Sequence, residues 1–313
     1  MFLVAACDDP SAKPVRIGIL LGVNSFAEVT EGFRAAILEL GYVENQTVVF
    51  DEVSAQSDRT VMAQACEKFA ASKVDLVFTT TNGGAIACKK ALMGTDIPMV
   101  FAVVMAPVES GLVDNLEAPT GNITGVRSAL QEYAGKRVEL LHELAPDVAR
   151  IWIPITLNYP TTKYFLPSVE AAAQSLGLSV RVTDVTTPNE TIAYLDSLEA
   201  PDFDAIMIPP NVVPQAQKSL DAIMAYAQRH RLPVVGNAAK NLQDGCVMSY
   251  HIDNWEEGKI AGQMAFQILK DQERIPYPII HSEPVLKING KVAAELGLTI
   301  SNDLRTLGSI IDE

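Results

Sequence analysis

VRIGILL, residues 15–21, is a run of apolar side chains broken only by Arg16 and Gly18, and VDLVFTT, residues 74–80, is its close counterpart. Runs this short and this continuously apolar predict strands buried on both faces, as in a parallel sheet covered by helices. Outward from them the same alternation recurs. A helix is expected around Phe26–Leu40, stopped by Gly41, then a strand TVVFDEV (47–53) and a helix over Asp58–Ser72 with Asp58 as N-cap. A helix over Gly84–Met93 and a strand IPMVFAVV (97–104) complete the first set.

After GNITGV (121–126) the pattern restarts. A helix is expected from about Gln131 to Leu144, then a strand RIWIPI (150–155), and Ser168–Leu176 belongs to the next helix, stopped by Gly177. LSVRVTDV (178–185), a helix over Glu190–Leu198, FDAIMIP (203–209), a helix over Pro214–Arg229 and LPVVG (232–236) follow. The tail reads GCVMSYHI (245–252) as a strand, Trp255–Leu269 as a long helix, then a strand from Val285, an Asn289-Gly290 turn and a short helix. Such alternation makes an α/β chain of two doubly wound parallel-sheet lobes joined by a multi-strand hinge. The expected division is 15–125 with 252–280 for the first lobe and 126–251 with 281–313 for the second. A length of 313 residues is in keeping with two cores.

Ahead of the first strand, residues 1–14 read MFLVAACDDPSAKP. The stub is too short for a membrane span or a whole secretory signal. Leu3–Cys7 has the form of the tail of a bacterial lipoprotein signal, with Cys7 as the residue to carry lipid and a polar tether behind it. An ordinary buried cysteine in a chance apolar terminus is the alternative. Net charge is −14 with scattered lysines and arginines, which argues against nucleic acid as a partner. None of the four cysteines forms a CxxC pair and the four histidines are dispersed, so no metal site is expected. Cys66 and Cys88 fall on neighbouring helices of one sheet face, leaving open a disulfide or two free thiols. Cys246 is expected to be a small buried hydrophobe.

The element order and four stretches resemble the ABC-transporter substrate-binding family with the type I periplasmic-binding fold, in the group that includes binders of aromatic amino acids. The stretches are LGYVENQTVVFDEVSAQSD (40–58), APVESGLVDNLEAPTGNITGV (106–126), LPVVGN (232–237) and SYHIDNWEEGKIAGQMAFQIL (249–269). The resemblance implies a periplasmic or otherwise extracytoplasmic, lipid-anchored monomer. It would hold a small molecule between its lobes by hinge closure near 124–127 and 249–252, and hand it to a membrane permease. Enzymatic motifs do not compete: IGILLGVNSF lacks the spacing of a dinucleotide loop, and no GKS, GKT or GxSxG occurs. No catalytic residue and no cofactor is expected.

In open α/β sheets ligands sit at the C-terminal ends of the strands. The loops there nominate Asn24, Ser25, Phe26, Thr80, Thr81, Asn82, Val104, Met105 and Ala106 from the first lobe. Thr156, Asn158, Tyr159, Asn211 and Asn237 come from the second. None of these is charged. Relatives that bind amino acids typically meet the ammonium with a carboxylate, and the matching positions here are Ala106 and Asn237, which leaves Asp253 as a candidate. Asp253 with Glu256 also fits a helix capping box. An unpaired buried ammonium costs several kcal/mol, so the loops favour a neutral, largely apolar ligand, aromatic or sterol-like. The alternatives are an aromatic amino acid or a non-transport sensor of the same fold.

Overall fold

The computed structural model describes residues 13–128, 133–270 and 277–311. Cys7, Gln131 and Glu132 lie outside the described residues. In chain order the elements of the first stretch are β1 (Val15–Leu21), α1 (Ala27–Glu39), β2 (Val48–Ser54), α2 (Arg59–Ser72), β3 (Leu76–Thr80), α3 (Thr81–Ala91), β4 (Met99–Val104) and β5 (Ile123–Arg127). There follow α4 (Ala134–Leu144), β6 (Arg150–Ile155), α5 (Thr162–Ser175), β7 (Ser179–Asp184), α6 (Pro188–Asp196) and β8 (Ala205–Met207). Then come α7 (Val212–Gln215), α8 (Gln217–His230), β9 (Val234–Gly236), α9 (Lys240–Gln243) and β10 (Met248–Ile252). The tail holds α10 (Asn254–Lys270), β11 (Ile280–His281), β12 (Pro284–Asn289), α11 (Gly290–Leu296), α12 (Asn302–Leu307) and β13 (Gly308–Ile311).

The chain divides into two compact units, Met1–Ser128 with Asn254–Ser282 and Ala129–Asp253 with Glu283–Glu313. It therefore passes from one unit to the other three times. Among the described residues the first unit carries a six-stranded sheet of order β11-β5-β4-β3-β1-β2, and the second a seven-stranded sheet of order β13-β12-β10-β9-β8-β6-β7.

In the first unit β1 lies parallel to β2 and β3, with Ile17 opposite Phe50 on one side and Leu76 on the other. Ile17 and Ile19 face the cluster built with Val29 and Phe33 of α1 and Ala261 and Ala265 of α10. Leu20 faces the opposite cluster with Met62, Cys66, Phe69 and Cys88. Both faces are covered, which is why the strand is continuously apolar. Gly18 is bare because the Phe69 ring occupies its place; a Cβ there would lie 2.7 Å from that ring. Cys66 and Cys88 are joined as a disulfide between α2 and α3, correcting the alternative of two free thiols. Cys246 is buried and free.

The second unit repeats the logic. Ile151, Ile153 and Ile155 of β6 face α4 and α5. Trp152 points the other way, stacked on Tyr194 and Phe203, and its indole N–H donates to Thr183 Oγ1 at 2.9 Å.

GNITGV contributes β5, the strand of the first sheet that runs in parallel register with β4. The helix to which Ser168–Leu176 was assigned begins earlier, at Thr162, and holds Pro167 inside it, where the missing N–H removes the ladder bond to Lys163 O. Expectations for the tail need correction. Asn289-Gly290 is not a turn. Asn289 caps α11, its side chain accepting from Val292 N at 3.0 Å. Two tail elements, α12 and β13, were not expected, and β12 runs antiparallel to β10 while pairing parallel to β13.

Candidate functional site

The C-terminal ends of the parallel strands collect the residues nominated from sequence, and the structure sorts them into two groups. One group turns inward. Thr80 is fully buried, and its hydroxyl accepts from Gly22 N at 2.9 Å; it fastens the end of β1 to the end of β3. Val104 is fully buried in the core cluster under α2 and α3. Asn211 is buried too, with Oδ1 accepting from Thr156 N at 2.7 Å. Its amide nitrogen reaches Thr161 Oγ1 and Thr162 Oγ1, each at 3.3 Å. Phe26 packs against the apolar cluster of α1 and α10. Thr80 and Asn211 serve the loops, because buried backbone N–H groups at strand ends need acceptors, while Val104 and Phe26 join apolar clusters.

The second group remains at the surface of its own unit. Asn24, Ser25, Asn82 and Asn158 are exposed; Thr81, Met105, Ala106, Thr156, Tyr159 and Asn237 are partly covered. Asn24 Oδ1 accepts from Ser54 Oγ at 2.5 Å, and Thr156 Oγ1 donates to Val185 O at 2.6 Å. Thr81 opens α3 with φ of 70° and receives Gly84 N at 3.3 Å. Asp253 lies 3.8 Å from Lys287 Nζ, so its carboxylate already has a cationic neighbour.

Some of the exposed apolar side chains lie at the same ends, one in the first unit and three in the second, while others such as Met93 and Leu307 lie elsewhere. Val108 follows β4, Leu157 follows β6, Tyr164 lies at the start of α5 and Val212 just past β8; Val212 is 66% exposed and Leu157 47%.

Three residues that the sequence did not nominate, Asn241, Arg127 and Glu257, hold these loops, and a fourth, Arg137, braces β10. Asn241 is buried and accepts from Asn237 N at 2.9 Å and Ala238 N at 3.0 Å through Oδ1. It repeats for the β9 loop what Asn211 does for the β6 loop. Arg127, on β5, donates from Nε to Met105 O at 2.9 Å. A loop-by-loop reading finds no charge here because this one comes from a strand. Glu257, on α10, is buried and accepts from Val103 N at 2.8 Å. In the second unit Arg137 of α4 is fully buried, donating Nε to Tyr250 O at 2.8 Å, while Nη1 and Nη2 meet no hydrogen-bond partner among the described residues. Burial pushes its guanidinium down to about 10. His251 is likewise held down to about 4, first by burial and then by Lys287, so it is neutral at physiological pH.

Among the described residues no group of three or more His, Cys, Asp and Glu side chains could hold a metal ion. The site offers amides, hydroxyls and apolar surface, and such groups bind.

Residues 15–309 match the family described as ABC transporter substrate binding protein. A tyrosine-binding protein of Clostridioides difficile (strain R20291) is 25% identical over 272 residues, 87% of this chain and 77% of that one. The ABC domain from Streptococcus pneumonia solved in complex with L-Trp superposes with a TM-score of 0.73 at 26% identity, covering 96% of this chain and 100% of that chain. A ligand-free, open substrate-binding protein with adhesive properties from Clostridium difficile gives a TM-score of 0.77 at 24% identity over 95% and 99% of the two chains; it attests to the fold. With the match running from the first residue of β1 into β13, this chain belongs to the ABC transporter substrate-binding protein family and is a binding protein, not an enzyme.

Proposed function

We propose that the chain captures an aromatic compound of amino-acid size for an ABC-type transport system. The observation that carries the reading is the exposed apolar set that the second unit presents at its strand ends, Leu157, Tyr164 and Val212, with the exposed amide of Asn158 next to Leu157 in the chain. Burying roughly 400 Å² of apolar ligand surface would supply on the order of 10 kcal/mol gross. That is ample for micromolar binding after ordering costs. Relatives that bind tyrosine and tryptophan support the aromatic class. Family membership carries an extracytoplasmic setting and a permease as partner. No helix among the described residues is long and apolar enough to cross a membrane. Lipid attachment at Cys7 and action as a monomer, with the three chain crossings as hinge, belong to the same proposal.

A second reading, a neutral ligand such as a sterol or an uncharged aromatic, is favoured by one observation. Ala106 and Asn237 carry no charge, and Asp253 has Lys287 beside it. Isothermal titration separates the two, with L-tryptophan, L-tyrosine and L-phenylalanine run beside indole, p-cresol and a sterol. The primary reading expects at least one amino acid to bind at micromolar Kd or tighter, and the uncharged cores at least 100-fold more weakly. Equal affinity for indole or p-cresol, or binding of the sterol alone, would replace it with the neutral reading. No binding by any aromatic compound would overturn the aromatic class.

A further inference from the structure

Glu257 stands out among the buried titratable groups, because nothing in ligand capture as proposed requires a buried acid there. It lies in the first turns of α10, just after the chain re-enters the first unit at Asn254. One oxygen accepts from Val103 N at 2.8 Å. Ser128 Oγ donates to the two oxygens at 2.6 and 2.9 Å.

Both partners are special positions. Val103 has φ of 57°, a left-handed conformation that a β-branched residue adopts only under constraint. It sits in the register shift between Phe101 and Val104, where β4 departs from its pairing with β5. Met105 and Ala106 of the candidate site follow directly. Ser128 is the last residue of the first unit before the chain leaves it. A single carboxylate thus fixes a strained bend beneath a ligand loop and the point of exit of the chain.

We propose that Glu257 is a proton-controlled latch: its ionised carboxylate holds Val103 bent and Ser128 in place, and protonation loosens both, lowering affinity for ligand. The physical basis is that hydrogen bonds to an ionised acceptor are shorter and roughly twice as strong as neutral ones. A protonated carboxyl must in addition turn one oxygen into a donor, so Ser128 can no longer donate to both. Burial pushes the Glu257 carboxyl up to about 7, against the opposing effect of the bonds from Ser128 and Val103.

Among the described residues no other charged group shifts the Glu257 carboxyl. The strands β3 and β4 carry no titratable side chain, and β5 carries Arg127, which turns to Met105 O and His281. On α1, Glu28 and Glu31 are exposed, Arg34 pairs with Glu44 and Glu52, and Glu39 pairs with Lys259. Glu256 is exposed on the far side of its turn. None of these contributes to the Glu257 shift.

The ligand-affinity consequence rests on the aromatic reading, so the test has a ligand-free arm. Amide resonances of Val103 and Ser128 in the ligand-free chain are followed by ¹⁵N NMR from pH 5.5 to 8.5, for wild type, Glu257→Gln and Ser128→Ala. The latch expects a common midpoint near neutrality in wild type and none in Glu257→Gln, which keeps the shape and an acceptor for Val103 N. Ser128→Ala should raise the midpoint, since it removes a bond that favours the ionised form. In the second arm, L-tryptophan, L-tyrosine and L-phenylalanine are titrated at pH 8 and pH 6, and whichever binds should do so several-fold more weakly at the lower pH in wild type and equally at both in Glu257→Gln. A flat Val103 resonance in wild type, or the same midpoint in Glu257→Gln, overturns the latch. Failure of L-tryptophan, L-tyrosine and L-phenylalanine alike to bind at either pH, with the midpoint present, overturns the aromatic amino-acid reading alone. Equal binding at pH 6 and 8 with the midpoint present overturns the coupling to ligand.

Discussion

Breaking the Cys66–Cys88 bond should destabilise the first unit by an amount that can be worked out. The two half-cystines are 22 residues apart. The loop-entropy relation, −2.1 − 1.5R ln n, then gives about 11 cal/mol/K, or about 3.4 kcal/mol at 25 °C, lost from stability when the cross-link is absent. Both cysteines are fully buried, so reductant meets the bond only when the unit unfolds, and equilibrium unfolding is the proper assay. In urea, with m of about 1–3 kcal/mol/M, the first unit's midpoint should fall by about 1–3 M when a phosphine reductant is present. The second unit's transition should stay where it is, because its only described cysteine, Cys246, is unpaired. Thiol titration in denaturant provides the control: of the chain's four cysteines, two should react in the unlipidated chain before reduction and four after. Four reactive thiols before reduction would remove the premise. A midpoint shift under about 0.3 M, with reduction verified, would refute the entropic reasoning.

Asn211→Ala should lower the second unit's stability by about 1–3 kcal/mol, because Thr156 N is left buried without its acceptor; urea midpoints test this. Asn158→Ala, at an exposed loop position, should leave stability within about 0.5 kcal/mol and weaken binding of whichever aromatic probe titrates, by several-fold. Gly258→Ala should destabilise despite the roughly 1 kcal/mol that helix propensity favours, because the new Cβ collides with Val29 O of α1 and lies 2.9 Å from Phe33 N. Overpacking there costs about 1–3 kcal/mol, and an unchanged or raised Tm would show that the two helices can part. Burial drives the Cys246 thiol well above its ordinary range; iodoacetamide should leave it unlabelled in the native chain and label it in urea, as mass spectrometry would report.

Much of the fold was legible because burial on both faces writes itself as continuous apolar runs. RIWIPI marks β6 to the residue, and VRIGILL marks β1. What the runs cannot carry is pairing. GNITGV looks the same whether it opens a new sheet or closes the old one, and only its register with β4 decides. The four residues of β13 are too few for any periodicity to register. At the site the loops were locatable, since strand ends fix them, but side-chain direction was not. Asparagine and threonine suit both tasks at a strand end, facing a ligand or accepting from the backbone. Asn24 and Asn211 look alike in sequence, yet one is exposed and the other sealed beneath its loop. Glu257 was invisible for a related reason. Beside Glu256 it reads as one of two surface acids, until the packing of α10 against α1 and β4 puts it inside.

Asn211 and Asn241 separate two duties that a binding loop otherwise has to share. Each anchors its loop through buried main-chain hydrogen bonds from beneath, so the outward residues, Leu157, Asn158 and Val212, bear little responsibility for holding the loop in shape. Substitutions among those outward residues can therefore accumulate by drift with small effects on folding, while the same changes redraw the chemistry presented to a solute. A lineage built this way can exchange one cargo for another in single steps without first acquiring spare stability.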